Sequence, residues 1–294
     1  MTAVAQDVVS AVSLGALYAL LALGISLIFG IANVVNFAHG EIIMVSSYVL
    51  LLTSGALWPL LSLAVIGAAV LVALLMERAV FRPVRGASAG TLFIVSFAAS
   101  QFLQSTVSLV AGATPRSVGF AANLNKPIHV AGLSIAKLDL VTLAVCAGLI
   151  VAGALFLRRS DFGLQLRAAA EDFGMARLVG VRANGVMVGV FALSGLLAGV
   201  AAVLLTARTG TLTPTLGVQP VLIAFVAAVV GGLGSLSGAA AGGMFLGALT
   251  VALEALLPSG MAGYQDAFVY GGVLLLLLFR PQGLIPRLGA GERI

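Results

Sequence analysis

Long apolar runs alternate along the chain with short polar clusters, and the lengths of the runs set the first expectations. The first, from about Val8 to Phe29, is long enough at about 1.5 Å per residue to cross a hydrocarbon core of about 30 Å. It ends in a polar cluster between Asn33 and Glu41, after which only about fourteen apolar residues precede Ser54-Gly55, so a short or partly re-entrant second element is expected. The third span runs from Pro59 to Met76 and closes on Glu77-Arg78 and a basic loop holding Arg82 and Arg85. A fourth covers Thr91 to Val110 and places Gln101 and Gln104 on one helical face. Ala113 to Ala136, with Pro115 and Pro127 and few charges, reads as irregular surface structure. Leu138 to Leu157 and Val186 to Leu205 form the fifth and sixth spans. Beyond Pro220 an apolar stretch of about ten residues reaches Gly231, another continues to Leu257, and a last one covers Phe268 to Phe279. The pattern predicts an all-α polytopic membrane protein of eight or nine transmembrane or re-entrant helices, forming a single domain over residues 1–294.

Two places break this regularity. Asn36-Phe37-Ala38-His39-Gly40-Glu41 puts polar groups beside an irregular backbone. Gly234, Gly238 and Gly242 recur at every fourth residue, with Gly243 and Gly247 repeating the spacing beside them. Small residues so spaced let two membrane helices approach closely. The same run also fits a helix broken near Gly231 to Ser237 at membrane depth, which is tolerated only where protein or a cavity surrounds the freed backbone. The break at Asn36 to Gly40 and the one at Gly234 to Gly243 sit where two halves of a transport fold would echo one another, but share too little identity to assert a repeat.

Composition fits a membrane protein: 61% of residues are hydrophobic and 9% charged, against about 25% charged in a soluble domain. Much of the charge is gathered in one island, Arg158 to Arg182, with five arginines and three acids. Such a segment cannot lie in lipid, where a central charge costs about 2.5–3.5 kcal/mol even on insertion scales. It reads as a surface helix over Leu164 to Leu178, with Asp161 as N-cap and Gly180 as stop. Leu164, Ala168, Met175 and Leu178 are expected on its apolar face, and Arg167 and Glu171 paired on its polar one. If the loop after Met76, the island and the tail share one side, that side holds eleven of the fifteen Lys and Arg residues, leaving Arg116, Lys126, Lys137 and Arg208 opposite. The positive-inside rule then makes the island and C-terminus cytoplasmic and the N-terminus external, and it requires the run from Gln219 to Leu257 to enter and leave on the same side. No Lys or Arg precedes the first apolar run, so no cleavable signal is expected.

The chemistry is sparse. Neither lysine, Lys126 or Lys137, follows a glycine, so the chain carries no phosphate-binding loop. His39 and His129 lie far apart without a HExxH pattern, no pair of aspartates sits within a span, and the one cysteine, Cys146, excludes an internal disulfide or thiolate metal cluster. The basic residues are dispersed among loops, which excludes a nucleic-acid face. No metal site, no bound cofactor and no enzymatic activity are expected. Glu254, a few residues from a helix end, and the pair His39 and Glu41 are the candidates for a proton- or ion-coupling group. A conduit driven by something else fits these residues best.

Four motifs occur in order over nearly the whole length: Asn36-Phe-Ala-His39-Gly40-Glu41; Gly163-x3-Arg167-Ala168-x-Ala170-x-Asp172-x3-Ala176-x3-Gly180; Gly231-Gly232-x-Gly234-Ser235-x2-Gly238-x3-Gly242; and Leu278-Phe279-Arg280-Pro281-Gln282-Gly283-Leu284. Together they resemble the permease subunits of bacterial branched-chain amino acid ABC importers. The resemblance implies a multi-pass protein of the bacterial inner membrane that pairs with a second, related permease, two cytoplasmic ATPases carrying ATP and magnesium, and a periplasmic substrate-binding protein. It also makes the segment 158–184 the coupling element, with Arg167, Ala168, Ala169, Glu171, Asp172 and Gly180 expected at the ATPase contact. Asn36, Phe37, His39, Gly40 and Glu41 are the expected substrate path, although Asn36 and His39 would equally serve to satisfy a broken backbone. The alternatives are a related permease for urea, short amides or aromatic acids, an ion-coupled carrier or channel using Glu41 or Glu254, and, third, an intramembrane enzyme.

Overall fold

A computed structural model describes residues 2–33, 36–52, 58–130, 133–280 and 283–285. The chain is an all-α polytopic membrane protein. Six of the described helices are long and apolar enough to cross a membrane, and three shorter apolar helices accompany them. The first, α1 (Thr2–Ala32), is the most buried of the six. The second element is split into α2 (His39–Ser47) and α3 (Val49–Leu52); the expected stop at Ser54-Gly55 lies outside the described residues. Next come α4 (Trp58–Met76), continued by a π-turn over Glu77–Phe81, α5 (Ala89–Ala111) and α6 (Lys137–Arg159). Then follow α7 (Asp161–Glu171), α8 (Phe173–Leu178), α9 (Ala183–Thr209), α10 (Val218–Gly231), α11 (Leu236–Leu256) and α12 (Gln265–Phe279).

The connection expected to be irregular contains short strands. Among them β1 (Arg116–Ser117) pairs antiparallel with β4 (Thr211–Leu212), and β2 (Pro127–Val130) forms a hairpin with β3 (Leu133–Ala136). These pairings satisfy main-chain groups that an irregular segment would leave open.

Contacts across the sequence fix which ends lie together. Arg85 donates to Asn184 Oδ1 at 2.7 Å, which joins the loop after α4 to the start of α9. The amides of Leu284 and Ile285 donate to the Val230 and Gly231 carbonyls at 2.7 and 3.1 Å, so the segment after α12 satisfies carbonyls left free at the end of α10. At the opposite end Ser13 and Arg208 both meet Asp139, at 3.0 and 3.6 Å, and Asn125 donates to the Ala207 carbonyl at 2.9 Å. The basic loop, the island and the start of the tail therefore share one end, hereafter the island end, and Arg208 lies at the other, as the charge distribution requires. α10 and α11 run to the island end and back, which is the same-side entry and exit expected for Gln219 to Leu257.

Glycine governs the packing of the central helices. A methyl group on Gly243 would stand 2.6 Å from the Tyr18 carbonyl carbon, one on Gly247 would meet Gly15 and stand 3.0 Å from the Leu14 carbonyl carbon, and one on Gly242 would come within 2.8 Å of the Gly231 amide. α11 thus lies against the backbone of α1 on one side and α10 on another, which dispersion forces reward when lipid supplies no hydrophobic drive. Gly238 meets Gly231 in the same manner. Gly234, expected on this face, lies instead in the turn before α11 with φ +78°, a conformation that excludes it from the helix. The chain does break between Gly231 and Ser235, level with Gly30 near the end of α1.

Candidate functional site

The first break forms because Asn33 turns left-handed (φ +51°) after α1 and Asn36 Oδ1 accepts the Ala38 amide at 3.0 Å, steering the chain into α2. α2 therefore begins partway along α1: His39 lies against Gly24, where an added methyl would stand 2.7 Å from Nε2, and its Nδ1 is 3.2 Å from the Ser194 hydroxyl, which itself donates to the Gly24 carbonyl. Both Asn36 and His39 are buried, and Asn36 Nδ2 and His39 Nε2 lack a partner among the described residues. Glu41, 1% exposed, accepts hydrogen bonds at Oε1 from Ser100 at 2.9 Å and Gln104 at 3.2 Å, while Oε2 has no described partner. Gln101, expected beside Gln104, faces outward instead, because the burial stripe of α5 runs through Ser96, Ser100 and Gln104. Phe37 packs edge-on to Phe93 at 5.3 Å and against Phe225 at 6.0 Å, between α5 and α10.

A second break meets this one. The chain re-enters before α10, and Gly217 at its start lies directly on Gly40: a methyl on either would overlap the other's carbonyl. The half-helices α2 and α10 thus meet at their N-terminal ends. In space the Asn36–Glu41 break therefore meets the Thr213–Gly217 turn and not the glycine run at 231–243.

Below the break, toward the island end, lies a mostly apolar cavity of about 220 Å³, lined by Ile28, Asn36, Phe81, Arg85, Phe173 and Phe191 among others. Arg85 on its wall pairs with Glu77, which is 2% exposed. A fixed cation–anion pair is therefore present, with Arg85 also bound to Asn184 and its Nε without a partner among the described residues. Burial draws the Arg85 pKa down from its ordinary value, and arginine still carries its charge. Phe173 brings the island to the same cavity.

The island is two helices rather than one. Ser160, not Asp161, caps α7 by accepting the Gly163 amide at 3.1 Å, and Asp172 breaks the run by capping α8, accepting from the amides of Gly174 and Met175 at 2.8 and 2.9 Å. Gly180, φ +89°, ends α8: its amide and that of Val181 donate to Arg177 and Ala176 in a Schellman pattern. The expected apolar face is reversed. Gly163, Leu166, Ala169 and Ala176 are buried, whereas Leu164, Met175, Leu178 and Val179 are exposed by 62–82%. Arg167 reaches the Leu157 carbonyl rather than Glu171, and Ala168 is half-buried. The island is clamped to its neighbours: Gly163 abuts the Leu157 carbonyl, Phe162 stacks on Phe156 at 5.9 Å, and Gly189 leaves room for the Phe162 ring. Glu254 is exposed near the end of α11.

Comparison with known proteins supplies what geometry alone does not. Residues 8–278 match the model of a family described as the permease component of the branched-chain amino acid transport system. The chain belongs to this family of branched-chain amino acid transport permeases. The permease is 33% identical to the high-affinity branched-chain amino acid transport permease BraD of Pseudomonas aeruginosa and 34% identical to LivH of Escherichia coli, in both cases over 96% of this chain and 95% of the relative. A probable branched-chain permease LivH of Methanocaldococcus jannaschii is 31% identical over 89% of the chain and 84% of the relative. In the permease, sequence reasoning missed Ser100, Ser194, Gly24 and Gly217, which hold His39, Gly40 and Glu41 in place. Small and hydroxyl residues inside an apolar run were their only signal.

Proposed function

We propose that the permease is a membrane subunit of an ATP-driven importer for branched-chain or other hydrophobic amino acids, delivered by an external binding protein, with the island end facing the cytoplasm of a bacterial inner membrane. In this reading ATPase subunits dock on α7 and α8, a second permease completes the passage, and substrate passes near Phe37. The observation that carries it is the exposure of Leu164, Met175, Leu178 and Val179 on an island otherwise clamped to the membrane helices. Exposed aliphatic groups on a rigid polar segment fit a docking surface better than a solvated loop. Phe173, at the start of α8, lines the cavity that Asn36 also lines, so force on the island would reach the break through packed side chains. Positive charge gathered at the island end supports the orientation. The mostly apolar cavity suits a hydrophobic side chain, and weak binding along the way would let cargo leave.

The test is co-expression with candidate ABC ATPase subunits from the same organism, and uptake by proteoliposomes holding the whole complex. Met175→Glu combined with Leu178→Glu should abolish ATPase co-purification and ATP-driven leucine uptake while leaving the melting temperature of the permease unchanged. Full retention of both would overturn the docking assignment. One observation favours a second reading: the buried Glu41 carboxylate has an unpartnered oxygen, as a proton-coupled carrier would require. Uptake by the permease alone under a proton gradient, lost in Glu41→Gln, would establish that reading in place of the first.

A further inference from the structure

The outward faces of the spans are not alike. Mid-span outward residues are aliphatic on α4 (Leu63, Leu71), α6 (Val145, Val151) and α12 (Leu274, Leu275), as contact with lipid tails requires. α5 differs. It is the least apolar of the six long spans and among the least covered by the rest of the chain, yet Gln101 and Ser105 face outward near its middle. Neither side chain has a hydrogen-bond partner among the described residues, while Thr106 at least returns its hydroxyl to the Phe102 carbonyl at 2.7 Å.

Depth makes the observation sharper. Glu41 ties Ser100 and Gln104 of α5 to the level of the Gly40–Gly217 junction, so Gln101 lies at that level too. The start of α10 there presents Thr215 and Gln219, both exposed, and Gln219 has no described partner. Phe37 sits between the two elements against Phe93 and Phe225. α5 and the start of α10, on either side of Phe37, thus each carry uncharged hydrogen-bonding groups at mid-depth, with a buried carboxylate behind those of α5. Lipid tails cannot satisfy such groups; a second helix or enclosed water can.

We propose that the outward sides of α5 and of the start of α10, at Gln101, Ser105 and Gln219, form the surface on which the second permease packs, enclosing between the two chains the passage that Phe37 flanks. The inference rests on the proposed two-permease assembly and adds which face is used. The occupant is another permease-type chain because the surface needs partners at membrane depth and uncharged ones, which another polytopic chain with a like face supplies by an isologous contact.

The experiment places a photo-reactive benzoylphenylalanine at Gln101, Ser105 or Gln219 of the full chain, expressed in its native host, and irradiates intact membranes. Leu71, Val151 and Leu275 serve as positions on the other faces. Adducts with a second permease-sized chain from the first three and not from the last three are expected. Adducts from the other faces alone would overturn the assignment of the face while leaving the pairing intact. Absence of protein adducts at all six positions would remove the pairing and the face together. Gln101→Leu with Ser105→Leu should lower adduct yield from Gln219 by about threefold for each interhelical hydrogen bond lost, with the melting temperature of the separate permease unchanged. An unaltered yield would overturn the role given to these side chains.

Discussion

Gly40→Ala tests the meeting of the two half-helices most directly. A methyl there would overlap the Gly217 carbonyl oxygen, stand 2.9 Å from its carbon and 3.0 Å from Val221 Cβ, where ordinary contacts begin near 3.4 Å. The obstacle is backbone at a helix start, so no rotamer change relieves it and the half-helices must part by roughly 1 Å. Overpacking of a well-filled interior costs about 1–3 kcal/mol, and backbone on both sides puts this case at the upper end, about 3 kcal/mol. Gly217→Ala should cost as much, since its methyl would overlap the Gly40 carbonyl and approach the Glu41 amide to 3.1 Å. The double variant should cost clearly less than the sum, because one separation makes room for both methyls. The measurement is thermal unfolding of the detergent-purified chain, with Gly148→Ala in α6 as reference. Nothing lies within 4 Å of a methyl there, so the better helix propensity of alanine should leave stability unchanged or raise it by up to about 1 kcal/mol. If Gly40→Ala unfolds at the temperature of Gly148→Ala, the junction is not packed as described.

Three further outcomes follow from the same geometry. Gly24→Ala should displace the His39 ring, whose Nε2 would be 2.7 Å from the new methyl, and reduce transport; His39→Ala in the same chain should restore stability, which a double-mutant cycle of unfolding would register. Ser100→Ala removes one of the two described donors to Glu41 and should destabilise the chain by about 1–3 kcal/mol in the same unfolding assay, whereas Ser108→Ala, which loses only a bond to its own helix, should cost little. Gly283→Ala meets a positive φ of +78°, worth about 1–2 kcal/mol against a side chain, and crowds the Gly232 amide at 2.8 Å; faster hydrogen exchange at the Leu284 amide is the expected sign.

The sequence by itself determined the class of protein, most of the spans and the end on which positive charge collects. Each depends on solvent: runs of apolar residues need lipid, and the charges of the island need water. It also located Gly180 as a stop and Asn36 to Glu41 as a break, because local backbone chemistry marks both. Contacts between distant segments were beyond it. Only the tertiary structure set Gly40 on Gly217, turned Leu164 and Leu178 outward while burying Leu166 and Ala169, and gave Glu41 its donors from α5. The physical reason is that in a chain this apolar nearly every helix face is greasy, so hydrophobicity cannot say which face meets protein and which meets lipid. Close backbone approach and paired polar groups decide that, and both belong to two segments at once.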